Sequence, residues 1–158
     1  MKEEFLEILS NYQNILHKVN MVYFYNEADR VDNFQEIVYQ LWKSYPKLEN
    51  KKSIGSWIYA VSINTSISNI KKQKRIEYRE NIPEAIDQTD TIKQICFSDD
   101  VNRLLKAISQ LGDIDKSIML LYLEEKSYSE IAQILGITQS HVGVRINRAK
   151  KTLKQILI

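Results

Sequence analysis

The chain has 158 residues, 44% hydrophobic and 27% charged, with a formal net charge of +2 and only 4 glycines and 2 prolines. That length fits one or two small domains with a core, and the scarcity of Gly and Pro favours helix. The single cysteine, Cys96, excludes an internal disulfide framework and a cysteine metal cluster, and suits a reducing cytoplasm.

Residues 1–25 read as one helix, with Phe5, Leu6, Ile8, Leu9, Tyr12, Ile15, Leu16, Val19 and Val22 at its apolar positions. Residues 26–30 read as a connection. A second helix is expected over 33–45, where Phe34, Ile37, Val38, Leu41 and Trp42 form a wide apolar stripe and Pro46 ends the run. A polar loop over 47–52 leads to a third helix from Ser53 to about Arg75, with Ser53 and Ser56 as alternative caps. Along it Trp57, Asn64, Ser68, Lys71 and Arg75 recur at spacings of 7, 4, 3 and 4, placing an aromatic, an amide, a hydroxyl and two cations on one side. The helix closes on Lys71, Lys72, Lys74 and Arg75, four cations in five residues. An aromatic that stacks on unpaired bases, beside cations that track phosphates, suits single-stranded nucleic acid. The competing reading makes Trp57 core and the cations a solvated helix end favoured by the macrodipole.

Residues 76–97 change character. Glu77, Glu80, Glu84, Asp87 and Asp90 come without a sustained apolar period and Pro83 interrupts them, which predicts a linker. Ser98 then opens a helix carrying Val101, Leu104, Leu105, Ile108 and Leu111, ended by Gly112, and Asp113 caps another through Ile118, Leu121 and Tyr122.

The last stretch reads as two helices about a tight turn. Ser127 with Glu130 three residues later is a capping box, and Ile131, Ile134 and Leu135 mark one apolar face. Gly136 closes that helix, since glycine enters the left-handed conformation without steric cost. Thr138 caps the next, whose Val142, Ile146, Ala149 and Leu153 face inward and leave Arg145, Arg148, Lys150, Lys151 and Lys154 mostly outside. This is the helix-turn-helix pattern, whose second helix enters the DNA major groove. Such corners also occur in ordinary all-α cores. Beyond Glu130, however, 28 positions hold five basic residues and no acidic one, where a solvated face would mix signs. Charge is segregated along the whole chain: +3 over 1–75, −5 over 76–100 and +4 over 101–158.

Catalytic and metal signatures are missing. Neither His17 nor His141 has a metal-ligand spacing, and no glycine-rich phosphate loop or nucleophile elbow occurs. No apolar run approaches the roughly 18–20 residues of a membrane span, and the acidic start is unlike a signal peptide. A non-enzymatic protein without metal or cofactor is expected.

Three stretches carry a family resemblance. Asp32-Asn-Phe-Gln-Glu-Ile-Val-Tyr-Gln-Leu-Trp42, Ser53-Ile-Gly-Ser-Trp-Ile-Tyr-Ala-Val-Ser-Ile-Asn64 with its basic run to Arg75, and the helix-turn-helix from Tyr128 to Lys150 resemble, in order, parts of an extracytoplasmic-function sigma factor. Such proteins are promoter-specificity subunits of bacterial RNA polymerase. The resemblance implies an all-α fold of two small helical domains: a three-helix bundle like sigma region 2 over 1–75 and a four-helix domain like region 4 over 98–158. An acidic linker over 76–97 would join them. It implies that Phe34, Gln35, Glu36, Tyr39, Leu41 and Trp42 dock on the polymerase β′ clamp. Trp57, Asn64, Ser68, Lys71, Lys72, Lys74 and Arg75 would engage the −10 element, and Gln139, Ser140, His141, Val144, Arg145 and Arg148 the −35 element. Part of the helices between Val101 and Leu123 would meet the β flap, and an anti-sigma factor is a further expected partner. The linker resembles the connector in the RNA-exit path, where its negative charge would imitate RNA. Two positions depart from the pattern: Gly143 stands where the family often has a basic residue, and Ser68 where an acidic one is common. A stand-alone helix-turn-helix regulator and a helical protein-binding adaptor are the rival readings.

Overall fold

The computed structural model describes residues 2–49, 53–80 and 97–158, and among them every regular element is helical. The chain divides into two compact units, Met1–Cys96 and Phe97–Ile158.

The first unit packs α1 (Lys2–Tyr23), α2 (Glu27–Ser44) and α3 (Ile54–Glu80) against one another. Glu3 and Glu4 sit in the first turn of α1, where carboxylates favour the helix dipole. α2 starts six residues before the expected Asn33. Asn26 is its N-cap, its side chain accepting from the Asp29 N–H at 2.8 Å, so residues 26–30 are a cap and first turn rather than a connection. That turn is polar and exposed on most of its length, which hid it from an apolar-period reading. Pro46 ends α2 as expected, in a short 3-10 turn over Tyr45–Lys47. Phe5, Leu16, Ile37, Leu41, Tyr45 and Ile58 form a core cluster, with Phe34, Val38, Trp57 and Val61 packed against it. Leu6, expected among the apolar positions, faces solvent instead. α3 continues past Arg75 to Glu80, so the first residues of the expected linker extend a helix. Residues 81–96, the remainder of that linker apart from Phe97, lie outside the described residues, as do residues 50–52 of the polar loop.

The second unit holds α4 (Asp99–Ile108), α5 (Asp113–Leu123), α6 (Tyr128–Leu135) and α7 (Gln139–Leu157). Ser98 caps α4 by accepting from the Val101 N–H. The helix ends at Ile108 rather than at Gly112, and Gly112 is itself the N-cap of α5 in extended conformation, with Asp113 as the first helical residue. The turn between α5 and α6 passes through Glu125 at φ 61°, with Lys126 N–H donating to the Leu121 carbonyl and Glu125 N–H to that of Tyr122. This is a Schellman closure in which glutamate occupies the left-handed position. Leu105, Ile108, Ile118, Leu121, Ile131, Val142, Ile146 and Leu153 are buried, and each apolar residue fully withdrawn from water contributes about 1.5–3 kcal/mol.

Candidate nucleic-acid and polymerase interface

The corner between α6 and α7 is set by local chemistry. Ser127 accepts from the Glu130 N–H at 3.1 Å while the Glu130 carboxylate accepts from the Ser127 N–H at 3.3 Å, completing the capping box. Gly136 stands at φ 70°, its N–H and that of Ile137 both donating to the Ala132 carbonyl. Thr138 then caps α7 through the His141 N–H at 3.1 Å. Val142, Ile146, Ala149 and Leu153 are buried as the periodicity requires. The opposite face presents Gln139, Ser140, His141, Val144 and Arg148 to solvent, with Val144 55% exposed despite being apolar. Asn147 shares this exposed face between Val144 and Arg148. Its amide can both donate and accept, which suits an adenine edge, and its position three residues after Val144 was the available signal for it.

Arg145 is placed differently from the other expected −35 residues. Its Nη1 donates to Asp115 Oδ1 on α5 at 3.0 Å, and its Nε donates to His141 Nε2 at 3.1 Å. Lys150 is held too, its Nζ 4.4 Å from the centroid of the Tyr122 ring, and hydrogen bonding to Tyr122 raises its pKa. Arg148, Lys151 and Lys154 remain exposed along α7. Gly143 packs beneath the Tyr128 ring, where an added Cβ would lie 3.5 Å away in ordinary contact.

In the first unit the stripe on α3 emerges from the core. Trp57 is partly buried, packs on the hydrophobic cluster and stands 6.2 Å from the Tyr45 ring. Asn64, Ser68, Lys71, Lys72, Lys74 and Arg75 are all exposed further along the helix. The structure thus joins the two readings of this helix: its aromatic start is anchored and its polar, cationic continuation faces solvent.

On α2 the six expected docking residues separate. Gln35, Tyr39 and Trp42 are exposed, Trp42 at 44% and Tyr39 at 55%, with Trp42 held edge-on to Phe5 at 5.1 Å. Glu36 is half-buried and accepts from Gln40. Phe34 stacks on His17 at 5.3 Å, and burial lowers the His17 pKa. Leu41 is only 1% exposed, so it belongs to the core and leaves the docking set. Val31, 47% exposed one turn earlier, lengthens the apolar edge of this face.

Beneath both faces lies a polar node that apolar periodicity does not show. Asn33 Nδ2 donates to Asn20 Oδ1 at 2.7 Å and to Ser66 Oγ at 2.9 Å, while its Oδ1 accepts from Asn69 Nδ2 at 2.8 Å. One amide therefore ties α2 to both α1 and α3. No described helix is long and apolar enough to cross a membrane.

Comparison with known proteins places both units. Residues 8–76 match Sigma-70 region 2 and residues 102–153 match Sigma-70 region 4. RNA polymerase sigma factor SigV of Bacillus subtilis is 26% identical over 147 residues, covering 92% of this chain and 86% of the relative. The ECF RNA polymerase sigma factor SigW of the same organism is 21% identical, covering 99% and 90%. Among solved structures, the sigma factor RpoE of Bartonella quintana in complex with the anti-sigma factor NepR superposes with a TM-score of 0.73 at 19% identity, covering 99% of this chain and 95% of that one. With region 2 and region 4 present in order on the helices that carry the exposed cationic faces, the chain belongs to the sigma-70 family, in its extracytoplasmic-function class.

Proposed function

We propose that this chain is a non-enzymatic specificity subunit that directs bacterial RNA polymerase to promoters. The observation that carries the proposal is the pairing, in one chain, of a solvent-facing cationic α3 with a capped helix-turn-helix whose α7 face is exposed. α2 docks on the β′ clamp through Gln35, Tyr39 and Trp42, with Phe34 and Glu36 at the edge of the contact. α3 engages the −10 element: Asn64 and Ser68 meet unpaired bases, Lys71, Lys72, Lys74 and Arg75 follow the phosphates, and Trp57 supports the helix start with its outer edge available for stacking. α7 reads the −35 duplex with Gln139, Ser140, His141 and Val144 at base edges and Arg148 on phosphate. An anti-sigma factor is a proposed regulator, by analogy with the complex of the Bartonella relative, and work with polymerase places the chain in the cytoplasm.

Run-off transcription with purified bacterial core polymerase tests this. Promoter-specific product that requires both core enzyme and this chain is expected. No product across a broad promoter library would refute it, and duplex binding at one operator without polymerase would point to a stand-alone regulator.

A further inference from the structure

Asp115, Arg145 and His141 form a chain of hydrogen bonds that ends on the exposed start of α7. A guanidinium only donates. The His141 Nε2 that receives the Arg145 Nε–H at 3.1 Å must therefore be the unprotonated ring nitrogen, which leaves the proton on Nδ1. That Nδ1–H has no partner among the described residues. Arg145 is in turn fixed by Asp115, 30 residues earlier on α5 and 3.0 Å from its Nη1.

We propose that Asp115 is a specificity-determining positioning residue for −35 recognition, holding Arg145 so that Arg145 locks the His141 imidazole into a single tautomer that presents a donor to the base edge. The proposal rests on the assignment of α7 as the −35 helix. In the major groove a lone donor is met by purine N7, guanine O6 or thymine O4, whereas cytosine offers only its N4 amino donor. His141 therefore rejects cytosine at the base it contacts. Arg145, with two N–H groups committed inside the protein, acts through His141 and not as a phosphate contact. Without Asp115 the imidazole is free to turn or to exchange its proton between nitrogens, and an acceptor that cytosine satisfies becomes available.

The test uses holoenzyme assembled from the full chain and bacterial core polymerase, bound to a promoter library randomised across the −35 hexamer, with the bound fraction sequenced. Wild type is expected to deplete cytosine at one position, and His141→Ala to remove that depletion and so mark the position. Asp115→Asn and Asp115→Ala are each expected to relax the same position about tenfold and no other. Adding His141→Ala to Asp115→Ala changes nothing further, because both act on one contact. Arg145→Lys keeps the charge but not the fork, so it is expected to relax the same position while leaving the salt dependence of binding at its wild-type slope. Should Asp115→Ala not fold, Asp115→Asn and Arg145→Lys carry the test. The proposal is overturned if the Asp115 variants weaken every promoter alike with the His141 preference intact, or if Arg145→Lys restores wild-type preference. If no −35 position responds to substitutions at Gln139, His141 or Val144, the assignment of α7 itself falls. If His141 sets a preference that Asp115 and Arg145 do not alter, only the positioning role falls.

Discussion

Asn33, only 1% exposed, has both amide hydrogens and its carbonyl oxygen engaged, on Asn20, Ser66 and Asn69. Replacing it with leucine leaves those partner groups without Asn33, and each orphaned buried polar group costs about 1–3 kcal/mol. Asn33→Leu is therefore expected to lower the stability of the first unit by about 3 kcal/mol, read as a fall in its denaturant midpoint. An unchanged midpoint would mean that the partners find other bonds. At the surface of α7 the arithmetic is electrostatic. Arg148 is exposed and has no acidic neighbour on its own helix. Arg148→Ala is expected to weaken holoenzyme binding across promoters and to flatten the slope of log affinity against log salt by about 0.9, one phosphate's worth. A slope identical to wild type removes Arg148 from the phosphate contacts. Neither the Asn33 node nor the grip of Asp115 on Arg145 was legible beforehand, for one physical reason. Both join residues 30 or so apart, and the period of a single helix says nothing about which polar side chains meet across a bundle.

Elements whose ends are fixed by their own residues could be read directly. Ser127, Glu130, Gly136 and Thr138 satisfy backbone groups within three or four residues of themselves, so the helix-turn-helix was visible in the chain before any packing was known. Elements whose ends depend on packing could not. The start of α2 has a polar first turn, α4 stops four residues before Gly112, and α3 runs on through Ile76 because helical hydrogen bonding needs no apolar face. The closure after α5 escaped notice because Glu125 sits where glycine is usual. A non-glycine residue there carries steric strain of about 1 kcal/mol, so Glu125→Gly is expected to raise the melting temperature of the second unit. A lower melting temperature would show that the glutamate makes contacts worth more than that strain. Gly143 presents the converse case: it is helical, has room for a Cβ against Tyr128, and costs about 1 kcal/mol relative to alanine. Gly143→Ala is expected to stabilise α7 by up to that amount in urea unfolding, and a loss would show that the Tyr128 ring cannot yield.

Across the whole chain the sign of charge alternates: positive to residue 75, negative from 76 to 100, positive thereafter. With α3 and α7 on DNA as proposed, the anionic segment between them suits the connector role that the family resemblance implies, an imitation of RNA in its exit path. Neutralising Glu77, Glu80, Glu84, Asp87 and Asp90 is expected to change the ratio of abortive to full-length transcripts while leaving promoter binding intact. An unaltered ratio would reduce that segment to a tether. Within the first unit, the same Asn33 that stabilises the bundle also fixes the register between two of its helices. It lies one residue before Phe34 on the proposed docking helix and grips α3 at Ser66 and Asn69, on either side of Ser68. A register shift of α3 against α2 would break both bonds together. With α2 on the clamp and α3 on the −10 strand as proposed, Asn33 is thus the residue that keeps the two contact helices in one register.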